Sequence, residues 1–136
     1  MATTEEIRTQ LADIVNEGFD VAIRIGVLDE SSLVGVRLAQ NQRVVVASPA
    51  YLAARGTPAE PDALAGHNCL TFGTAGNQPR GWWLQVDGRP TPVRVTGTLE
   101  CNDGAVLHGW ALAGLGLAWR SMWEVADDIA AGRLVC

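Results

Sequence analysis

Short apolar segments alternate with helical ones along this chain, and this alternation restricts the fold more than any other feature. Val44–Val46 is an apolar run of strand length, followed closely by Ser48 and Pro49, a pair typical of a helix start. The same order recurs near the C-terminus, where an apolar run at Leu115–Trp119 precedes a helical pattern over Met122–Ala130. Strands that alternate with helices predict an α/β fold with a mixed sheet flanked by helices.

Turn residues divide the rest of the chain into further short elements. The Asp87–Gly88 pair predicts the tight turn of a hairpin, and Gly18, Gly56, Gly114 and Gly132 end predicted helices. We expect helices over 4–16, 50–54, 105–113 and 122–130, a short turn from 61 to 64, and strands over 19–26, 33–47 (with a turn at 40–42), 68–72, 82–86, 93–99, 115–119 and 133–135. The sequence has no repeat or low-complexity tract, so a single domain over residues 1–136 is predicted.

Composition excludes several classes of protein. A hydrophobic fraction of 48% with 18% charged residues is typical of a globular chain and unlike a disordered one. The net charge of −5, with ten scattered arginines as the basic residues, argues against binding of nucleic acid by this chain itself. The first ten residues are polar and acidic rather than basic and apolar, so no signal peptide is indicated and a cytoplasmic location is expected.

The cysteines predict neither a disulfide framework nor a metal site. Cys69, Cys101 and Cys136 are odd in number and lack the CxxC spacing of zinc sites, so we expect no metal and no cofactor. A nucleophilic pair of Cys69 or Cys101 with a histidine stays open, because such partners meet in space rather than in sequence. No nucleophile motif supports it, and buried structural cysteines are the commoner case.

Several short segments, in their order and spacing, carry a resemblance to a known family. They are Glu17–Gly26, Ser31–Leu33, Ala47–Leu52, Gly56–Pro58, His67–Leu70, Asn102–Gly104, Ala113–Ala118 and Ala131–Val135. Over about residues 11–135 the chain resembles the effector-binding domain of LysR-type transcriptional regulators. The resemblance implies the fold of type 2 periplasmic binding proteins. The matched part is mainly the second lobe with part of the first, and the DNA-binding winged helix-turn-helix domain is expected to be absent from this chain.

What the resemblance implies about function is sensing rather than catalysis. In the family, a small-molecule effector binds in the cleft between the lobes and shifts the arrangement of a dimer or higher oligomer, which changes how distant domains bind DNA. Self-association of this chain is therefore expected, with DNA contacted only through the N-terminal domain of a full-length regulator. Two alternatives remain: a fragment of a transport-type solute-binding protein of the same fold, and a hydrolase with a Cys/His pair.

Candidate effector contacts lie where strands end and helices begin, because ligands of open α/β sheets bind there. By this argument and the resemblance, the predicted effector-binding residues are Ser48, Thr71, Phe72, Thr74, Asn102, Asp103 and Arg24. A hydroxyl and free backbone N–H groups at a helix start suit a carboxylate, so a small carboxylate is one candidate effector. If the site is a single pocket, the side chains of Ser48, Thr71 and Asn102 converge on one open face.

Four of these residues also have a purely structural interpretation. Ser48 and Asp103 are good N-cap residues for the helices that follow them. Phe72 is explained almost as well by core packing, and Arg24 by a surface salt bridge. The sequence leaves these alternatives open.

Overall fold

A computed structural model of the protein describes residues 16–24, 32–73 and 81–136. It divides the chain into two units, one of residues 43–136 and one of residues 2–42. In the first unit, the strands are β1 (Arg43–Val46), β2 (Cys69–Phe72), β3 (Gly81–Val86), β4 (Arg89–Arg94), β5 (Glu100–Cys101) and β6 (Leu117–Ser121). The α-helices are α1 (Pro49–Arg55), α2 (Gly104–Leu112) and α3 (Met122–Ala130), and a 3₁₀ helix spans Pro61–Gly66.

Four of the strands form one mixed sheet in the order β1-β6-β2-β5. The pairs Leu70↔Ala118 and Phe72↔Cys101 make β2 parallel to β6 and to β5. The pair Val46↔Ala118 makes β1 antiparallel to β6. The predicted α/β fold with a mixed sheet is confirmed.

Core side chains cover both faces of this sheet. One cluster, which includes Leu70 and Ala118, packs with residues of α2 and α3; its buried members are Val46, Leu70, Leu107, Ala111, Ala118, Val125 and Leu134. The other lies on the opposite face, because neighbouring strand residues point to opposite sides; its buried members are Ala47, Tyr51, Leu64, Cys69, Trp82, Val95 and Leu117. Helices α2 and α3 therefore pack on one face of the sheet, and α1 and the β3–β4 hairpin pack on the other.

Local capping signals position the helices as predicted. Ser48 caps α1, with its hydroxyl accepting a hydrogen bond from the backbone N–H of Tyr51 at 3.1 Å. A capping box starts α3: Glu124 accepts from the backbone N–H of Ser121 at 3.2 Å. Gly132, with φ of 75°, follows the end of α3, and the bounds of this helix match the prediction.

The hairpin β3–β4 differs from its prediction at one strand. Asp87 and Gly88 both have positive φ, 51° and 75°, which is the conformation of a type I′ turn. The return strand begins directly at Arg89, four residues before the predicted start. Pro90 and Pro92 fit in this strand because, among the described strands, β4 pairs with β3 alone, so a missing N–H on its other edge breaks no ladder.

Asn68 connects, through side-chain hydrogen bonds, the segments that precede the three parallel strands β2, β5 and β6. Its side-chain Nδ2 donates to the carbonyl of Leu115 at 2.7 Å, and its Oδ1 accepts from the backbone N–H of Thr98 at 2.8 Å. Two glycines let the neighbouring backbones come close: a methyl group at Gly97 would lie 2.0 Å from the carbonyl oxygen of Cys69, and one at Gly116 would lie 2.3 Å from that of Asn68.

The second unit differs most from its predictions. Asn16 and Glu17 are helical and Gly18 has φ of 76°, while residues 4–15 of the predicted helix lie outside the described residues. The described part of the predicted strand 19–26 is not a strand, and Val21 and Ile23 are each 80% exposed rather than buried. Of the predicted strand 33–47, only Arg43–Val46 forms one. An extended segment becomes a strand only when it pairs with a neighbouring strand, and none of the described strands pairs with these segments.

The predicted last strand, 133–135, is reduced to an isolated bridge between Val135 and Ala47. Within the described parts of the chain, no helix has the length and apolar character needed to cross a membrane.

Asp128 links α2, α3 and the C-terminal segment, and this link predicts a pH dependence. Its carboxylate accepts from Nε2 of His108 at 2.6 Å and from Nε of Arg133. The hydrogen bond from Arg133, followed by that from His108, lowers the pKa of Asp128. A carboxyl group with a folded-state pKa below its unfolded value of about 3.9 stabilises the fold above that pH and ceases to do so as pH falls through the folded value.

We therefore expect Asp128→Asn to lower the midpoint of urea unfolding at neutral pH. As the pH falls from about 5 through the folded-state pKa of Asp128, the variant should lose less stability than the wild type. The variant Asp127→Asn, one residue away and exposed, is the control and should keep the wild-type acid dependence. Parallel pH profiles for wild type and Asp128→Asn would contradict the assignment.

Candidate functional site

The carboxyl ends of three parallel strands meet at one edge of the main sheet. β2, β5 and β6 run in the same direction, so the residues that end or follow them lie along this edge. We call it the carboxyl edge and define it by Thr71–Gly73, Asn102–Gly104 and Arg120–Ser121. It brings together most of the predicted effector contacts of the described residues.

Thr71 and Phe72 lie at the end of β2 but point to opposite faces of the sheet. Thr71 is buried, with 7% of its surface exposed, and Phe72 is half-buried against the core cluster that contains Leu70. Core packing is therefore at least part of the role of Phe72. Thr74 lies outside the described residues, and its contribution stays a prediction.

Asn102 and Asp103 join β5 to α2. Asp103 caps α2, with Oδ1 accepting from the backbone N–H groups of Ala105 at 2.8 Å and Val106 at 3.2 Å. The capping interpretation of Asp103 is confirmed. Asn102 is exposed at the same junction, where a side-chain amide offers both donors and an acceptor.

Ser48 lies at the other edge of the sheet, so its predicted convergence with Thr71 and Asn102 is wrong. Because β1 is antiparallel to β6, its carboxyl end lies beside the start of β6, and the pair Val46↔Ala118 fixes this register. Five residues of β6 separate the two edges, about 15 Å at the rise of a strand. Ser48 is buried there as a helix cap, with its Oγ 3.1 Å from the position of a methyl group on Gly114.

Arg24 belongs to the second unit and is half-buried within the described residues 16–24. Neither an effector contact nor a salt bridge is established for it, and both stay predictions.

The carboxyl edge contains a charged residue that the sequence reasoning missed. Arg120, in β6, is only 6% exposed, and its Nη2 donates to Oε1 of Glu124 at 2.8 Å. The guanidinium lies against the start of α2, because a methyl group at Gly104 would be 2.8 Å from Nη2. Its Nε is buried without a hydrogen-bond partner in the described structure. The sequence signal for Arg120 was a charged residue directly after an apolar run. It was missed because the predicted strand ended at Trp119, one residue before Arg120.

A second arginine lies within electrostatic range of this pair. The guanidinium of Arg43 stacks over the ring of Trp119, 4.5 Å from its centroid. Burial lowers the pKa of Arg43, Glu124 acts in the opposite direction, and Arg120 lowers it further. An arginine still keeps its charge in proteins, so two cations and one carboxylate act on each other at this edge.

The surroundings of Cys69 oppose its use as a nucleophile. The thiol is buried and lies 3.8 Å from the carbonyl oxygen of Leu64, and burial raises its pKa to about 11. Nδ1 of the nearby His67 instead shares a hydrogen bond of 2.8 Å with the hydroxyl of Tyr51. Activated cysteines have lowered pKa values, whereas the surroundings of Cys69 disfavour the thiolate form that a nucleophile needs. The described residues also contain no group of three or more metal-ligating side chains.

Thiol modification under native conditions tests this description. Iodoacetamide at neutral pH should alkylate the exposed Cys136 within minutes and leave Cys69 unmodified until the chain is unfolded in urea. Peptide mass spectrometry locates the label, and Cys136 of the same molecule serves as the internal control. Labelling of Cys69 as fast as Cys136 would show that its thiol is neither buried nor protonated.

Comparison with known proteins identifies the family. The whole chain, residues 1–136, matches the family described as LysR substrate binding domain. The chain belongs to this family. Among the relatives of this LysR substrate-binding domain, the HTH-type transcriptional regulator DmlR of Escherichia coli is 38% identical over 130 residues, which cover 96% of this chain and 42% of DmlR. The regulator CrgA of Neisseria meningitidis is 35% identical over 123 residues, 90% of this chain and 40% of CrgA.

Solved structures agree with this assignment. The LysR-type regulator CrgA from Neisseria meningitidis superposes with a TM-score of 0.75 at 34% identity, over 91% of this chain and 42% of that one. The match confirms the predicted resemblance and fold class. This LysR domain spans about two fifths of the length of the regulators it matches.

Proposed function

We propose that this chain is the sensory part of a LysR-type transcriptional regulator and binds a small-molecule effector at the carboxyl edge. The observation that carries the proposal is the convergence of the ends of β2, β5 and β6, with Thr71, Asn102 and the buried Arg120 along one edge. Polar groups at the carboxyl ends of parallel strands are the usual ligand contacts of open α/β sheets.

The proposed role is non-catalytic. The relatives are named as transcriptional regulators, and the raised pKa of Cys69 removes support from a hydrolase that uses this cysteine. A solute-binding transport protein has no support from these relatives. A sensor needs only different affinities for the effector in two arrangements, without any bond being made.

Control of DNA binding is assigned to parts of the regulator outside the matched region. The net charge of −5 is unfavourable for phosphate contacts by this chain, and helix-turn-helix regulators such as DmlR are more than twice its length. A regulator of transcription acts where the DNA is, so we propose a cytoplasmic location for this function.

A ligand screen with two variants tests the proposal. A compound that binds should raise the melting temperature reversibly and be recovered unchanged. Asn102→Ala should lower its affinity up to about tenfold, which is the usual loss for one hydrogen bond. Ser48→Ala, at the opposite edge, should lower the stability of the chain but leave affinity unchanged. Consumption of the ligand, or no stabilisation by any compound of any charge, would contradict the proposal.

We also propose that the chain self-associates through its second unit. The described residues 32–42 expose the apolar side chains of Val34, Val36 and Leu38, with Val34 92% exposed. Exposed apolar groups of this kind mark contact surfaces. Sedimentation over a concentration series should show a dimer or larger species that Val36→Glu dissociates and the control Val106→Glu, on the exposed side of α2, does not. A monomer at tens of micromolar would contradict this prediction.

A further inference from the structure

Arg120 carries a hydrogen-bond donor that the described residues leave unused. Nε of this side chain is buried and has no partner, although Nη2 is paired with Glu124 at 2.8 Å. Almost all buried donors in folded proteins are paired, so an unpaired one at a candidate binding edge calls for an acceptor.

Helix geometry around Arg120 makes its surroundings more positive. The guanidinium lies against Gly104, the first residue of α2, and Arg120 directly precedes Ser121, the N-cap of α3. Helix N-termini carry partial positive charge, so two of them and a guanidinium meet at one place. Glu124 supplies one negative charge in return.

The carboxylates nearby are already hydrogen-bonded. Asp103 accepts from two backbone N–H groups of α2, and Glu124 accepts from Arg120 and from the backbone N–H of Ser121. Arg43 adds a further positive charge within range of Arg120 and lies over Trp119. Any acceptor for Nε therefore comes from outside the described residues. Because Nε is buried in this structure, such an acceptor reaches it only once the side chains that cover it move, and an anionic acceptor suits the local charge.

We propose that Arg120 anchors the carboxylate of an anionic effector, with one carboxylate oxygen accepting the hydrogen bond from Nε. The proposal rests on the function proposed above and names the ligand class of that site. Charge-assisted hydrogen bonds from arginine to carboxylate are among the stronger polar contacts in proteins. Glu124 competes for the same guanidinium and so sets how readily the effector carboxylate binds.

The experiment compares carboxylates with their neutral amides. Acetate, succinate and benzoate are titrated against acetamide, succinamide and benzamide at matched ionic strength, with melting temperature and heat of binding as readouts. At least one carboxylate should bind while its amide does not. Arg120→Met should lower its affinity about tenfold to a hundredfold, and the control Arg55→Met, an exposed arginine at the end of α1, should leave it unchanged.

Two further measurements decide the result if Arg120→Met does not fold. Glu124→Gln removes the competing carboxylate and should raise the affinity for the same ligand. In ¹⁵N-labelled protein, the Nε–H resonance of Arg120 should shift during the titration. Binding with an unchanged Nε–H resonance, or binding that Glu124→Gln leaves unaltered, overturns the proposal. Binding of neutral compounds only overturns it too, but leaves the sensory function standing.

Discussion

Gly97→Ala should destabilise the chain by about 1–3 kcal/mol or more, the range of steric overpacking in folded proteins. A methyl group at this position would lie 2.0 Å from the carbonyl oxygen and 2.8 Å from the carbonyl carbon of Cys69. These are backbone atoms of β2, which cannot rotate away as a side chain can. Cys69 donates its N–H to the neighbouring Thr96 at 3.0 Å, so separating the two segments also weakens the hydrogen bonding next to β5.

Gly109→Ala is the matched control and should have the opposite sign. Gly109 lies inside α2 with nothing within 4 Å of an added methyl group. Alanine is favoured over glycine in a helix by about 0.5–1 kcal/mol, so this variant should be slightly more stable than wild type. Urea unfolding followed by circular dichroism measures both. A loss below about 1 kcal/mol for Gly97→Ala would show that the two backbones are not in close contact.

The sequence predicted well those elements whose signals are local. Ser48 before Pro49, the Asp87–Gly88 pair and the helical pattern over Met122–Ala130 each specify backbone geometry within a few residues, and the structure confirms each. The predicted strand 19–26 failed in its described part because an apolar extended segment gives no information about its hydrogen-bonded partner.

The candidate site was predicted only in part, because it too depends on strand pairing, about which a local segment gives no information. Asn102 and Thr71 lie at one edge because their strands are parallel. Ser48 lies at the other edge because β1 is antiparallel to β6, and strand direction in a mixed sheet depends on the chain path rather than on local residues. Arg120 was missed because its partners, Gly104 and Glu124, come from the two helices that meet beside the end of β6.

Glu124→Ala should lower the free energy of unfolding by about 3–5 kcal/mol, the usual loss when one partner of a buried ion pair is removed. Arg120 is 6% exposed and would keep its charge at the start of two helices without a counter-ion. The variant also removes the hydrogen bond to the backbone N–H of Ser121 that completes the capping box of α3. Asp127→Ala, exposed on the same helix, is the control and should change stability by less than about 0.5 kcal/mol.

A double variant separates the charge effect from simple loss of packing. Replacing both partners by apolar residues, Arg120→Met with Glu124→Leu, removes the buried charge together with its counter-ion. Such replacements are often neutral or stabilising, so the double variant should recover most of the stability that Glu124→Ala loses. If it is as unstable as Glu124→Ala, the loss comes from packing or from the cap of α3 rather than from an uncompensated guanidinium. If it recovers stability but no longer responds to carboxylates, Arg120 serves ligand binding rather than folding, which is the combination expected of a buried charge retained for function.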